Sequence, residues 1–428
     1  MSHDVRARLP MIRRAFHRHP EPGWCEFRTT ARVVEEVDRI GVDALLVGRD
    51  TLAADHRMAV PDAETLDEWL ERAREAGVHA DVLERTRDGN TGAVAVVKCG
   101  SGPTVGLRVD LDAVSITESD QPGHRPADEG FRSEHDGYMH ACGHDAHATV
   151  ALGVLEAVKH GDFSGTFKVF FQPAEEVSGG GKPMVESGLV DDLDYMLGLH
   201  IGLDAPTGTV IAGADAPLAM AHITATFEGA SAHAGTSPQD GANAMQAMAT
   251  AIQNAYGIPR HADGMTRVNV GRVEGGTASN VVAEEVTLLA EVRGETMGLM
   301  EYARTAFERV CYEAAEMHDC DVTPRVVAES PSVDSDPALR DLVAETASRT
   351  PGVDRVVPER RFGASEDATY FMQRVTAAGG LATYVIVGTD HSSSHHTPTF
   401  DIDERSLPVA VDLLAETVTD IAARHPIE

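Results

Sequence analysis

Positions 140–147 hold three histidines, a cysteine and an aspartate: His140, Cys142, His144, Asp145 and His147. Thiolate sulfur and imidazole nitrogen are good ligands for borderline divalent metals. A loop containing Gly143 and placed just before a helix can gather several of them. In a chain with 20 histidines this density favours a metal site over a chance cluster. A second signal is Gln172-Pro173-Ala174-Glu175-Glu176, directly after an apolar run. Adjacent carboxylates at a strand end point in different directions. One can bind metal while its neighbour serves as a general base. Taken alone, in a chain with 68 acidic residues, such a pair is more often a solvated turn. His200 and the run His391-Ser-Ser-Ser-His395-His396-Thr397-Pro398 complete the set. His200 by itself reads more readily as a structural histidine, and the 391–398 run divides evenly between metal and structure.

Each signal gains from the elements that must carry it. Residues 104–109 (TVGLRV) read as a buried strand with Asp110 and Asp112 beyond it. Residues 166–171 (TFKVFF) and 195–200 (YMLGLH) read as two more strands, and 381–387 (LATYVIV) as a fourth. Between the first two, Val150, Leu152, Val154, Leu155 and Val158 give 146–159 helical spacing. Strands alternating with helices imply a mostly parallel sheet with helices on both faces. All four signals then fall at or just beyond strand C-termini, the edge where open α/β sheets bind ligands. Cys142, His144, Glu176, His200 and His396 offer each of two metal ions two or more ligands, with a thiolate or carboxylate bridging. Two such ions would activate a water and polarise a carbonyl. Glu175 would take the water's proton and pass it to a leaving amine, and Asp112 would orient a ligand histidine from behind.

Between these segments the pattern changes. Strand-like runs at 222–228, 266–273, 286–293 and 321–328 alternate with helices at 240–256 and about 297–317. The order β-α-β-β-α-β is that of ferredoxin-like domains. The expected fold class is therefore α/β with two domains: a catalytic domain over 1–215 and 330–428, and an inserted ferredoxin-like α+β domain over 216–329. Helices near 336–348 and 405–423 belong to the first domain, and a polar helix at about 63–76 is an excursion from it.

Composition excludes several classes. The formal net charge of −32 argues against nucleic acid, whose phosphates need a basic surface. No apolar run approaches the ~18 residues of a membrane helix. The basic start has no apolar core behind it, so a cytoplasmic protein is expected. Lys98, Lys159, Lys168 and Lys182 are the only lysines among 36 basic residues. A lysine-poor, acid-rich surface fits a halophilic host, where salt screens self-repulsion. The five scattered cysteines make no disulfide framework.

The strings MHACGHDAH (139–147), FFQPAEE (170–176), GLHIG (198–202) and His395-His396-Thr397-Pro398 resemble the amidohydrolase branch of the aminoacylase and carboxypeptidase metallopeptidases, metallopeptidase family twenty. The resemblance spans essentially the whole chain. It extends to Gly23-Trp24-Cys25-Glu26-Phe27-Arg28, Asp55-His56-Arg57-Met58, Ser365-Glu366-Asp367-Ala368-Thr369 and Gly388-Thr389, which are similar to the group that hydrolyses p-aminobenzoyl-glutamate. It implies a metal-binding domain with an inserted lid or dimerisation domain. Cys142, His144, Glu176, His200 and His396 match the ligands, Glu175 matches the base, and His395 falls outside the ligand set. His233, in GASAHAGTSP (229–238), matches a histidine that helps hold the reacting carbonyl oxygen, reaching into the site of a partner protomer. Asn280, in GGTASNVV (275–282), and Arg293 are candidates for the substrate carboxylate, arginine because its planar fork suits a carboxylate.

The resemblance further implies two divalent ions per chain, manganese or zinc first and cobalt or nickel as alternatives. It implies a homodimer through the insert, a related second subunit, and a small N-acyl amino acid as substrate. p-Aminobenzoyl-glutamate is favoured, with hippurate-like and indoleacetyl amino acids as alternatives. Val177-Ser178-Gly179 and Thr397-Pro398 depart from the branch's usual strings, which bears on the pocket and the substrate rather than on the metals. Two other readings compete: Cys142 as a nucleophile with His144 as its base, and a non-catalytic subunit supporting a related enzyme. Gly179-Gly180-Gly181-Lys182 fails as a phosphate loop, since Pro183 stands where Ser or Thr is needed.

Overall fold

Residues 3–391 and 393–427 are described by a computed structural model of the chain. The strands are β1 (Ala44–Val47), β2 (Ala93–Lys98), β3 (Thr104–Asp110), β4 (Thr166–Gln172), β5 (Tyr195–Ile201), β6 (Thr209–Asp215), β7 (Ala219–Glu228), β8 (Thr266–Gly275), β9 (Glu285–Gly294), β10 (Asp321–Ser330), β11 (Arg355–Arg361) and β12 (Leu381–Val387). Two units are distinguished. The first comprises the chain up to Asp215, Val333–Phe362 and the chain from Asp367; the second comprises Ala216–Ser332 and Gly363–Glu366.

The first unit holds one eight-stranded sheet in the order β1-β2-β4-β3-β5-β12-β6-β11. Its centre, β4-β3-β5-β12, is parallel. β2 and β6 flank that centre in antiparallel pairing. The central strands are the four apolar runs of the sequence. They are buried along almost their whole length, which is why they read as continuous apolar stretches rather than alternating ones. Val105, Leu107 and Val109 face one apolar cluster with Leu152 and Val411. Phe170, Met196 and Ile386 face the other, with Trp69 and Phe371. Helices thus cover both faces. Close packing needs glycine at two places. A Cβ on Gly198 would lie 2.3 Å from Tyr384 Cδ2, and one on Gly153 would lie 2.7 Å from Val411 Cγ2.

The helix His144–His160 is buried on nearly every side. It packs among the helices His3–His17, Phe27–Ile40 and Ser406–Arg424. The first two of these, with β1, β2, β6 and β11, are not among the elements expected from sequence. β11 (RVVPERR) is a charged edge strand, so it lacks an apolar signature.

In the second unit the elements run β7, helix Ala244–Ala255, β8, β9, helix Met297–Met317, β10. The strands pair antiparallel throughout, in the order β10-β7-β9-β8. Ala247, Ala251, Met300, Ala303 and Phe307 of the two helices pack on Ile223, Ala225, Leu288 and Ala290 of the sheet. The Asn243 side chain accepts from the amides of Met245 and Gln246, and Thr296 accepts from that of Leu299, which fixes where each helix starts. Among the described residues no helix is long and apolar enough to cross a membrane.

Candidate metal centre

Parallel strands end on the same side of a sheet, and β3, β4 and β5 deliver their terminal residues Asp110, Gln172 and His200-Ile201 to one edge. The loop ahead of His144–His160 reaches that edge too. Gly143 caps this helix at φ +92°, and a Cβ there would lie 2.8 Å from Ile201 Cγ2. Glycine therefore lets the Cys142–His144 turn close onto the end of β5.

Five predicted ligands converge. The donor atoms of Cys142, His144 and His200 lie within 4.8 Å of one another, as do those of Cys142, Glu176 and His396. Those of His144, Glu175 and Glu176 do so as well. Cys142 belongs to two of these groups, the position a bridging thiolate needs. The ring orientations suit ligation. His144 Nδ1–H donates to the Asp112 carbonyl at 2.9 Å. His200 Nδ1–H donates to the Ile201 carbonyl at 2.8 Å, which turns Nε2 towards Cys142 Sγ at 3.5 Å. Each imidazole keeps an Nε2 lone pair for a metal. His144 Nε2 and Glu176 Oε1 are buried, 3.7 Å apart, and neither has a hydrogen-bond partner among the described residues. Buried polar atoms are rarely left so, and a cation between the two groups satisfies both. The residues present therefore fit a pair of divalent ions.

His396 comes from the loop after β12. Its Nε2 is 3.4 Å from Glu176 Oε2, and its amide donates to the Ala141 carbonyl at 2.9 Å. Its backbone sits at φ +57°, a strained conformation for a non-glycine residue. Burial raises the Cys142 thiol above its ordinary range, and Glu176 adds to this. Burial opposes ionisation of Glu176, but His396 and His144 outweigh it and hold this carboxyl below its usual range.

The loop carrying Glu175 and Glu176 is held from three sides. The Ala174 amide donates to Glu26 Oε1 at 2.7 Å, the Glu176 amide to Asp112 Oδ2 at 2.9 Å, and the Gly181 amide to Asp367 Oδ2 at 2.8 Å. Asp112 thus lies behind both His144 and Glu176. Arg108, fully buried in β3, joins Asp110, Gln172 and Asp367 at 2.8–2.9 Å. A Cβ on Gly180 would lie 1.8 Å from the Pro173 carbonyl oxygen, so this turn admits only glycine.

Two histidines of the dense string differ from the five ligands, although the donor atoms of His147 converge with those of Asp110 and His144. His147 Nε2 accepts from the Ile201 amide at 2.9 Å, and its Nδ1 faces Asp110 Oδ1 at 2.5 Å, so both nitrogens are engaged. His140 is buried outside every convergent donor group. The His395 ring lies against Phe400 and His391. The sequence alone gives Glu26, Arg108, Asp110, His147 and Asp367 no individual role. An arginine inside the apolar run of β3 was the available signal for Arg108.

In the second unit, His233 is exposed, and its Nδ1 accepts from the amides of Gly235 and Thr236. The Ala234 amide donates to the Asn280 carbonyl at 3.0 Å, so the fold brings His233 and Asn280 into neighbouring loops. Arg293 on β9 is gripped by both oxygens of Glu291, at 2.5 and 2.9 Å. The Glu291 carboxyl is lowered to about 2 through the His222 hydrogen bond first and Arg293 next.

Residues 106–420 match the Peptidase family M20/M25/M40. The chain is 41% identical over 420 residues to an indole-3-acetyl-aspartic acid hydrolase of Enterobacter agglomerans, covering 96% of each chain. It is 39% identical over 417 residues to one subunit of the p-aminobenzoyl-glutamate hydrolase of Escherichia coli K12, covering 96% of this chain and 95% of that one. The solved structure of an aminobenzoyl-glutamate utilization protein from Klebsiella pneumoniae superposes with a TM-score of 0.83 at 36% identity, covering 97% of both chains.

Proposed function

The chain belongs to peptidase family M20/M25/M40 and is a hydrolase of its amidohydrolase type; from that premise we propose that it cleaves the amide bond joining an aromatic acyl group to an acidic amino acid. The observation carrying this reading is the convergence of the Cys142, His144, Glu176, His200 and His396 donors beside Glu175. p-Aminobenzoyl-glutamate, giving p-aminobenzoate and glutamate, is the favoured substrate. Indole-3-acetyl-aspartate is the second reading, supported by the relative at 41% identity. Both are aromatic acyl groups on a dicarboxylic amino acid, which names the class.

Cys142, His144, Glu176, His200 and His396 would hold two divalent ions. Manganese or zinc suits the mixed sulfur, nitrogen and oxygen donors, with cobalt or nickel as alternatives. When bound, these ions supply Lewis acidity to the scissile carbonyl and acidify the attacking water. Glu175 accepts the water's proton and returns it to the leaving nitrogen as the C–N bond breaks. Asp112 keeps His144 and Glu176 in register. His233 would donate to the carbonyl oxygen in the site of a partner protomer, and Asn280 would bind the free carboxylate of the amino acid. Arg293 serves that carboxylate only by exchanging it for Glu291.

The second unit, with its βαββαβ order, is read as a ferredoxin-like lid and dimerisation domain. A second, related subunit is a further partner, since the Escherichia coli relative is named as one subunit of its hydrolase. The complete ligand set and base favour an active chain over a purely supporting one. The test is amino-acid release by the metal-loaded chain in high salt from p-aminobenzoyl-glutamate, indole-3-acetyl-aspartate and hippurate. A kcat/KM at least tenfold higher on the first two than on hippurate supports the acidic-amino-acid class. Preference for hippurate contradicts it.

A further inference from the structure

His147 is fully buried, and its donor atoms converge with those of Asp110 and His144; both its nitrogens have other partners, so it falls outside the five ligands, yet it touches two of them. Its ring stacks on that of His144 (centroids 5.2 Å apart, planes at 29°) and meets that of His200 edge-on at 4.6 Å. The Ile201 N–H is a donor, so His147 Nε2, 2.9 Å away, must carry a lone pair. The ring proton then sits on Nδ1 and is donated to Asp110 Oδ1. The other oxygen of Asp110 accepts from Arg108 Nη1 at 2.9 Å, and Arg108 is tied in turn to Gln172 and Asp367.

Ile201 is where this chain meets the metal centre. Its N–H is clamped by His147, its carbonyl receives His200 Nδ1–H at 2.8 Å, and its side chain fills the space left by the missing Cβ of Gly143. One residue therefore sets the tautomer of His200 and the closure of the Cys142–His144 turn. We propose that His147 is a positioning residue: with its tautomer fixed by Asp110, it locks the Ile201 backbone and so aims His200 at the metal centre. A buried histidine with satisfied nitrogens is usually a core residue. What sets His147 apart is that its acceptor nitrogen holds the residue that orients a ligand.

The proposal rests on the metal-centre reading, and the test separates the two. Apoprotein prepared with chelator is titrated with zinc by calorimetry, and its cobalt-loaded form is read by visible absorption. In His147→Asn the amide can still donate to Asp110 but falls short of Ile201. In His147→Gln the longer side chain brings a carbonyl oxygen within reach of the Ile201 N–H. His147→Asn is expected to keep two ions per chain, to bind one of them 10–100-fold more weakly, and to shift the cobalt bands. His147→Gln is expected to recover towards wild type in both. If His147→Asn fails to fold, Asp110→Asn carries the same test. It leaves the cavity filled and weakens the acceptor that fixes the tautomer, and it is expected to weaken the same ion. Wild-type affinities and spectrum in a folded His147→Asn would overturn the proposal. So would a stoichiometry of one, which would make His147 a ligand. Failure of the wild-type chain itself to bind two ions would sink the metal centre, and this proposal with it.

Discussion

Cys142 decides between two chemistries. A nucleophilic cysteine needs a lowered thiol pKa, whereas burial and Glu176 push this one up. The thiol fits a ligand whose proton a metal displaces. Cys142→Ala is therefore expected to lose metal together with activity, as metal analysis of the purified variant would reveal. A variant that keeps two ions and loses only turnover would revive the nucleophile. Glu175→Gln is expected to do the reverse, retaining both ions while kcat falls about 10²–10⁴-fold. Near-wild-type turnover would remove Glu175 from the mechanism. These residues were legible because metal ligation draws on few residue types in dense strings. Asp112 apart, the residues behind them were not. Glu26 and Asp367 act through the amides of Ala174 and Gly181, partners 148 and 186 positions away in sequence, and no local pattern carries such a pairing.

The helix His144–His160 presents its first turn to the metal centre, and a buried ionic cluster anchors that turn. Asp145 takes Arg13 Nε at 2.7 Å and His17 Nδ1 at 2.8 Å, while His17 Nε2 meets Glu118 at 2.9 Å. Burial and Arg13 oppose protonation of His17, but Asp145 and Glu118 outweigh them and raise its pKa from 6.5 to about 9. With the folded-state pKa above the unfolded one, this stabilisation is complete below about pH 6.5 and is lost as pH rises through about 9. His17→Gln should cost roughly 3–5 kcal/mol at pH 6, because it removes the cation that bridges the buried carboxylates of Asp145 and Glu118, and clearly less at pH 10. Thermal unfolding of both proteins across that range measures this, and parallel pH profiles would refute it. The same cluster explains a gap in the sequence reading. The helix His3–His17 spends Arg13 and His17 on buried ion pairs, so it reads as a basic, surface-like segment. The four central strands, buried on both faces, announced themselves as apolar runs.

A net charge of −32 makes the whole chain self-repelling at low ionic strength. Molar salt cuts the screening length to about 3 Å, so the unfolding midpoint is expected to rise between dilute buffer and 2 M sodium chloride. An unchanged or lower midpoint would remove the halophilic reading while leaving the active site untouched. The two units divide the sequence's legibility along similar lines. Alternation over 222–228 marks β7 as a half-buried strand, whereas the grouping of Gly363–Glu366 with the second unit depends on a return of the chain that no local signal foretells. Whether two ions held by Cys142, His144, Glu176, His200 and His396 drive amide hydrolysis is decided by stripping metal from the protein in high salt and titrating it back. Release of glutamate from p-aminobenzoyl-glutamate would be followed at each step. No turnover is expected without metal, with full recovery at two equivalents per chain; full activity in the stripped protein, or none with both ions bound on this substrate and on indole-3-acetyl-aspartate, would overturn the assignment.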